Sequence, residues 1–228
     1  MTTSGTTTVS FSVFDIIEEA YERAGIEMGT GGRDLRSARR SLDLLFHEWA
    51  NRGLLQWTME EGHIALTAGT GTYQLPVDTV DLIDYRLRVN LANANQARDI
   101  PLTRVSQVTW TNLPQRNQSG RPYQVLVERF RDGPSLRFYP TPDDREPYEF
   151  HFWRIRRMEG MGSYTNTVDA PFRFLPALCA GLAFKIAQKR NPAREAALYA
   201  AYQDTLNEAE AEDSPRTDLT FWPDWSYR

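Results

Sequence analysis

The residues of this sequence best suited to metal binding or nucleophilic chemistry are three histidines and one cysteine: His47, His63, His151 and Cys179. Their separations match neither H-x-x-x-H nor C-x-x-C, so the sequence predicts no zinc site. Cys179 lies in an apolar run of helical character, where we expect a buried packing role and not a nucleophile. Because the chain has one cysteine, no internal disulfide can form.

Acid–base chemistry has one candidate group on a predicted helix. Asp43 and His47 lie one helical turn apart beside Arg40, an arrangement that suits a base and its orienting carboxylate. An exposed helix face with ion pairs explains the same spacing. Adjacent carboxylates also occur at the edges of predicted strands or turns, at Glu60 with Glu61 and at Asp143 with Asp144. A glycosidase needs two facing carboxylates and no serine lies in a G-x-S-x-G motif, so we expect no enzyme.

Two segments have features of phosphate or nucleic-acid binding. The glycine-rich residues 25–32 lack the Lys-Ser/Thr pair of a P-loop and follow a helix, so they are predicted to be an interhelical loop. Residues 152–157 mix aromatic and basic side chains, as do surfaces that stack the bases of single-stranded nucleic acid. Ordinary polar faces of β-strands have the same mixture. The formal net charge of −4 argues against a dedicated nucleic-acid-binding protein.

Helices at both ends of the chain must position these groups. Ser12 with Asp15 matches a capping box, which predicts a helix that ends at Gly25. A longer helix is predicted from residue 33 to Gly53, with an arginine-rich face opposite its apolar stripe. That stripe consists of Leu35, Ala38, Leu42, Leu45, Phe46 and Trp49.

The C-terminal part of the chain returns to helical character. Pro176 fits the first turn of a helix that runs to Arg190 and is apolar nearly all round. Asn191, followed by proline, predicts the N-cap of another helix. Two helices from each end of the chain can therefore close one four-helix bundle.

The middle of the chain has the two-residue alternation of β-strands. Residues 63–66 and 72–75 flank a glycine-bearing turn, which predicts a hairpin. Residues 83–89 alternate apolar and charged side chains, with Ile83 on the packed face. A second hairpin is predicted across Asp132 and Gly133, and a last strand at residues 148–156. About six strands are expected in one antiparallel, meandering or sandwich-like domain, with long polar loops at residues 90–99 and 112–121.

The predicted fold is therefore α+β, with helices from both ends and a β-rich insertion. We expect a flexible arm at residues 1–11, a helical bundle from residues 12–55 and 170–213, an antiparallel β-rich insertion at residues 56–169, and an extended tail at residues 214–228. The N-terminus lacks the basic and apolar regions of a signal peptide, and no apolar run approaches the roughly 20 residues of a membrane span. Synthesis in a reducing cytoplasm and no membrane partner are expected.

The tail is rich in aromatic side chains but too short for a core of its own. Phe221, Trp222, Trp225 and Tyr227 are its candidate partner-binding residues. Concentrated aromatic residues usually dock on a surface. Docking on a partner or neighbouring subunit and docking on the protein's own body both remain open, and we favour the former.

Several segments, in their order along the chain, resemble a known family. They are FDIIEEAYERAGI, ARRSLDLLFHEWANRGLLQWT, EEGHIALTAGTGTYQLP, VDLID, GRPYQV, LRFYPTP and a closing alanine-rich helix. Together they resemble the head-to-tail adaptors, also called tail accessory factors, of tailed and chiefly short-tailed bacteriophages. The resemblance extends over residues 12–213, and the WANRGL-x-x-W end of the second helix is its most specific part.

The resemblance implies a structural virion protein at the head–tail junction, made in the host cytoplasm, with no cofactor or metal. It implies a dodecameric ring below the portal that extends the DNA channel and docks the next tail component, whether tail tube, nozzle or needle. Double-stranded DNA would pass without sequence-specific contacts during ejection, and the C-terminal extension would reach towards the portal. Two alternatives are a tail-associated peptidoglycan hydrolase that uses Glu48 or Glu61, and a monomeric protein-binding module.

Overall fold

The computed structural model describes residues 11–29, 32–53, 56–91, 96–130 and 133–213. The helices there are α1 (Val13–Ala24), α2 (Gly32–Arg52), α3 (Gln107–Thr111), α4 (Leu175–Arg190) and α5 (Glu195–Asp213). The strands there are β1 (Met59–Leu66), β2 (Thr72–Gln74), β3 (Thr79–Val89), β4 (Arg98–Pro101), β5 (Thr103–Arg104), β6 (Gln124–Phe130), β7 (Gly133–Tyr139) and β8 (Tyr148–Arg156). The predicted α+β class is confirmed.

The chain divides into two compact units. The helical unit consists of Met1–Leu54 and Glu159–Arg228, and the β unit is Leu55–Met158. Residues 159–171 therefore lie in the helical unit, where Val13 N donates to Asn166 O at 2.9 Å and Phe14 N donates to Tyr164 O at 3.0 Å. Among the described helices, none is long and apolar enough to cross a membrane.

Helix α1 begins with the predicted capping box. Ser12 Oγ accepts a hydrogen bond from Asp15 N at 3.2 Å, and the Asp15 carboxylate accepts one from Ser12 N at 2.8 Å. These bonds satisfy amides that have no partner within the helix. Gly25 ends the helix with a φ of 66°, a left-handed conformation that costs glycine little. The predicted apolar stripe is buried throughout: Val13, Ile16, Ile17, Ala20, Tyr21 and Ala24.

Helix α4 is the centre of the helical unit. It packs against α1, α2 and α5, which explains why the sequence of α4 is apolar nearly all round. Gly181 permits this packing, because a Cβ there would lie 2.8 Å from Tyr202 Cε2 and 2.9 Å from Leu45 Cδ2. Trp49 of α2 donates its Nε1–H to Tyr202 Oη of α5 at 2.9 Å. The core thus joins residues from both ends of the sequence.

Asn191 takes the predicted N-cap position, with Pro192 in the first turn, but its side chain does not cap the helix. A 3-10 turn, Pro192–Arg194, precedes α5, and Asn191 makes no side-chain cap bond there. Its Nδ2 donates instead to Ala24 O at the end of α1, at 3.0 Å. A free carbonyl at that helix end competes for the amide, because the last carbonyls of a helix lack intrahelical donors.

The described strands of the β unit form two sheets with inner faces that share one core. The first sheet has the order β1-β8-β3-β4 and is antiparallel, and the second has the order β2-β7-β6-β5, with β5 parallel to β6. Phe138 of the second sheet meets Phe150 of the first edge to face, with ring centroids 5.0 Å apart. The predicted hairpin of β6 and β7 and the predicted last strand β8 are confirmed.

The predicted hairpin of residues 63–66 and 72–75 is wrong. β1 pairs with β8, and β2 pairs with β7 in the other sheet, so the turn between β1 and β2 carries the chain from one sheet to the other. A turn sequence specifies a change of direction, while the choice of neighbouring strand depends on burial across the whole unit.

Two further differences come from irregular strands. Ile83, predicted to face the core, is 49% exposed because the register shift between Leu82 and Asp84 leaves Ile83 out of the ladder, and Leu82 is buried instead. The strand predicted near residue 100 is two strands: β4 pairs with β3 in the first sheet, and β5 pairs with β6 in the second. Leu102 lies between them and is buried in the shared core, so the chain changes sheet at this residue.

Candidate interaction surfaces

The acid–base group predicted on α2 has a structural explanation. Asp43 Oδ1 accepts a hydrogen bond from Met161 N at 3.2 Å, and the Met161 side chain is buried. His47 is exposed to solvent. Asp43 therefore holds the segment after the β unit against α2 through a hydrogen bond to the backbone.

The two carboxylates considered for a hydrolase lie in separate units. Glu48 belongs to the helical unit, where Lys185 Nζ lies 2.5 Å from its Oε1. Glu61 belongs to the β unit and is exposed at the register position opposite Trp153. Glu61 lines one pocket with Asp84 and Asp99, and these two carboxylates are ion-paired with Arg86 and Arg88.

The histidines do not form a metal centre with the groups around them. His63 and His151 are register partners on β1 and β8 with ring centroids 5.7 Å apart, and His151 Nε2 lies 2.7 Å from Glu149 Oε2. Within the described ranges, no cluster of three or more His, Cys, Asp or Glu side chains is suited to holding a metal ion.

The basic residues at the end of β8 belong to an ion-pair network. Arg154 donates to Asp78 at 2.6 Å and to Glu60 at 2.8 Å, and Arg156 donates to Glu60 at 2.8 Å. Phe152, the neighbouring aromatic residue, is buried in the core. The hydrogen bond from Arg154 lowers the pKa of Asp78, so the pair is charged at neutral pH. These arginines are occupied within the fold, which supports the interpretation as a polar strand face.

The outer face of the first sheet carries a shallow pocket of 220 Å³. Arg88 makes two hydrogen bonds to Asp99, at 2.7 and 3.0 Å, along its floor. Trp153 lines the same pocket and is 45% exposed. Tryptophan is enriched in protein interfaces, whose rims are polar, so this pocket is a candidate surface for contact with another protein.

The glycine-rich loop between α1 and α2 is anchored to a carboxylate of α2. Gly29 N donates to Asp34 Oδ2 at 3.1 Å, and Arg190 Nη1 donates to the same oxygen at 2.9 Å. The bond from Arg190 is the main reason that the pKa of Asp34 is lowered. Because this loop amide is directed at an internal carboxylate, the interhelical interpretation is supported over a phosphate-binding one.

An apolar groove of 370 Å³ lies along the first turns of α4. Its apolar lining, which defines the α4 groove, is Phe11, Phe172, Leu175, Pro176 and Cys179. Glu19 and Arg23 line it as an ion pair with a 2.6 Å separation. Phe172 is 74% exposed and Phe11 is 41% exposed, so the groove presents aromatic surface to solvent. Cys179 is buried, and desolvation raises its pKa to about 11, so its thiol is protonated at neutral pH.

Sequence reasoning missed the α4 groove. The signal was present as an apolar stripe at residues 172, 175, 176 and 179, separate from the stripe that faces the other helices. We treated α4 as one uniformly buried helix, which hid this second face. The expectation that Cys179 is a buried packing residue is confirmed.

The predicted partner-binding residues Phe221, Trp222, Trp225 and Tyr227 lie outside the described residues. The chain reaches them from the end of α5, where Asp213 is ion-paired with Arg173. Arg173 lies next to Phe172 of the α4 groove, and α5 packs against the turn Phe172–Phe174. The last described residue, Asp213, therefore lies near the turn that carries Phe172.

Comparison with known proteins places both units in one family. A sequence model of the SU10 adaptor protein family matches residues 19–219, which include all of the β unit and most of the helical unit. A solved chain described as the neck of an empty GTA particle computed with C6 symmetry is 13% identical, with a TM-score of 0.26 and coverage of 80% of this chain and 84% of that chain. No curated protein matches. The match over most of the chain confirms the family resemblance, and the protein belongs to the SU10 adaptor protein family.

Proposed function

We propose that this protein is a head-to-tail adaptor, a structural virion protein that binds below the portal ring, extends the DNA channel and docks the tail. The observation that carries the proposal is the adaptor-family match over residues 19–219, which includes the β unit as well as the helices. A match to both units supports a function that uses the whole chain and not one catalytic domain.

Exposed apolar side chains support a role in assembly. The helical unit presents Phe172 and the β unit presents Trp153 among charged neighbours. In a ring, each subunit repeats one heterologous contact, so a modest interface gains stability from closure. We propose a dodecameric ring, with portal, neighbouring copies and the next tail component as the partners.

We propose that α1, α2, α4 and α5 form a four-helix bundle, which is the framework of the helical unit. The hydrogen bond between Trp49 and Tyr202 and the ion pair between Asp34 and Arg190 join helices from opposite ends of the chain. Such contacts hold the helices from the two ends of the chain together. DNA would pass without sequence-specific contacts along a polar or acidic lumen, since fixed basic groups would retain phosphates.

Residues 214–228 are proposed to bind the portal or a neighbouring subunit. Buried aromatic side chains dominate the energy of many interfaces, so Phe221, Trp222, Trp225 and Tyr227 are the proposed anchors. Binding of this segment at the portal would delay ring formation until the portal is present.

The test is the mass of the purified protein, alone and with its cognate portal ring, measured by mass photometry. We expect a monomer that adds to the portal ring in a fixed multiple, with twelve copies as the proposed number. A chain that ends at Asp213, and a variant with serine at the four aromatic positions, should keep their helical circular dichroism and lose portal binding.

A matched control replaces four non-aromatic residues of the same segment with alanine: Ser214, Thr217, Thr220 and Ser226. This variant should bind the portal as the parent does. If the parent fails to add to the portal, the adaptor proposal is wrong. If the parent binds and the serine variant binds equally well, the aromatic residues are not the anchors.

A further inference from the structure

The α4 groove is an apolar surface for which the chain itself supplies a suitable occupant. The groove measures 370 Å³, which is within the range of roughly 300–1,000 Å³ that holds small organic groups. Its lining includes Phe172, of which 74% is exposed, so an apolar occupant would remove a large aromatic area from water.

We infer that in the free protein residues 214–228 fold back on their own chain and place aromatic side chains in the α4 groove. The inference goes beyond the proposed function, and its test needs no portal. The ion pair between Asp213 and Arg173 puts the start of this segment next to Phe172. The segment therefore begins at one edge of the surface that it would cover.

The length of the segment suits this contact. Phe221 follows Asp213 by eight residues, and an extended chain spans at most about 3.6 Å per residue, so it reaches up to about 29 Å from Asp213. The chain does not need full extension to return to a groove that begins beside Arg173. Residues 221–227 then bring four aromatic side chains within reach.

The other chain end near the groove suits it less well. Residues 1–10 precede Phe11, which lines the groove, but their sequence is MTTSGTTTVS. Threonine and serine bury little apolar area compared with phenylalanine and tryptophan. The chemistry of the groove therefore selects the aromatic segment.

Tethering favours the same chain over a second copy. A short flexible connection gives an effective concentration in the millimolar range, far above the micromolar concentration of a free protein in solution. With an intrinsic dissociation constant of about 0.1 mM, the groove would be occupied in about nine-tenths of the molecules. The portal would have to compete with the groove for the same aromatic residues, so binding of the segment to the portal would be coupled to its release from the groove.

Cys179 supplies a direct readout, because it lines the α4 groove and is the one cysteine of the sequence. We would measure the rate at which an uncharged disulfide reagent labels Cys179 in the full chain and in a chain that ends at Asp213. Occupancy of about nine-tenths predicts about tenfold faster labelling after truncation. The serine variant of the four aromatic residues should label as fast as the truncated chain, and the matched alanine variant as slowly as the parent.

Two further measurements separate coverage of the groove from other causes. Phe172→Ser, at an exposed position, should reduce the effect of truncation on labelling, since it removes part of the docking surface. Docking of the segment in about nine-tenths of the folded molecules should also stabilise the full chain by about 1.4 kcal/mol, so truncation should lower the unfolding midpoint, and an unchanged midpoint would refute the inference.

Dilution separates the same chain from a second copy. Protection within one chain is independent of concentration, so tenfold dilution should leave the labelling rate of the full chain unchanged. Equal rates before and after truncation would refute the inference. Protection that is lost on dilution would also refute it, and would assign the contact to a neighbouring copy.

Discussion

Tyr202→Phe tests the contact that joins the two ends of the chain in the helical unit. The substitution removes one oxygen atom, the acceptor for Trp49 Nε1–H at 2.9 Å, and leaves the ring in place. Trp49 is fully buried and Tyr202 nearly so. Burial is also the main reason that the pKa of the Tyr202 hydroxyl is raised. No water is therefore expected to replace the lost partner.

The expected cost follows from the donor that is left behind. A buried polar group without a partner loses its hydration with nothing in return, at a cost of about 1–3 kcal/mol. The free energy of unfolding should fall by that amount. For a chain of this size, the thermal midpoint should fall by roughly 2–4 °C for each kcal/mol.

The assay is denaturant unfolding followed by circular dichroism at 222 nm, which reports mainly on the helices. Tyr199→Phe is the matched control, because Tyr199 lies on the same helix and is 48% exposed. A surface substitution of this kind should change stability by less than about 0.5 kcal/mol. If Tyr202→Phe costs no more than Tyr199→Phe, the hydrogen bond does not hold the two ends together as argued.

Two further predictions concern packing and charge. Gly181→Ala should lower the free energy of unfolding by about 1–2 kcal/mol. Overpacking against Tyr202 and Leu45 costs about 1–3 kcal/mol, which outweighs the gain in helix propensity of about 0.5–1 kcal/mol. Unchanged stability in denaturant unfolding would contradict the close contact. The hydrogen bond from Arg154 lowers the pKa of Asp78 below its ordinary value of 3.8. Ionised Asp78 therefore stabilises the β unit fully above pH 3.8, and this contribution is lost as the pH falls through the lowered pKa. Asp78→Asn should therefore flatten the loss of stability between about pH 5 and pH 2 relative to Asp144→Asn at an exposed position, and an unchanged acid profile would refute the role of this pair.

The helices that the sequence predicted well are those with local signals. Ser12 and Gly25 mark the ends of α1, and both are observed as caps. The buried stripe of α1 follows the 3.6-residue period, because a helix buries whichever residues recur at that spacing. In α2 the predicted stripe is buried except for Leu35, which is half-buried because Asp34 turns inward to meet Arg190.

The strand partners were harder to predict because pairing depends on distant residues. Leu66 lies opposite Tyr148, far along the chain, and not opposite the strand after the next turn. The glycine-bearing turn after Leu66 looks like a hairpin turn by its local sequence. Each strand joins the sheet in which its apolar side chains can be buried. The residues that decide this lie outside the turn.

The candidate surfaces also differ in whether local sequence or packing between distant residues reveals them. The four aromatic residues of the tail were visible in the sequence as an unusual cluster, and their role stays a prediction. The α4 groove was not found, because Cys179 belongs to a helix whose other faces are buried against three helices, and Phe172 lies in the turn before it. Only packing shows which part of an apolar helix is left uncovered.

The sequence by itself determined the class of fold, the ends of α1 and α4, the hairpin of β6 and β7, and the family. Those features depend on capping, residue period and turn residues, which act within a few positions of the chain. The tertiary structure decided the exchange of strands between sheets, the exposure of Ile83, the ion pairs of Arg154 and the ion pair of Asp213 with Arg173 at the end of α5. These features depend on which distant side chains compete for the same buried space, and local sequence does not encode the result.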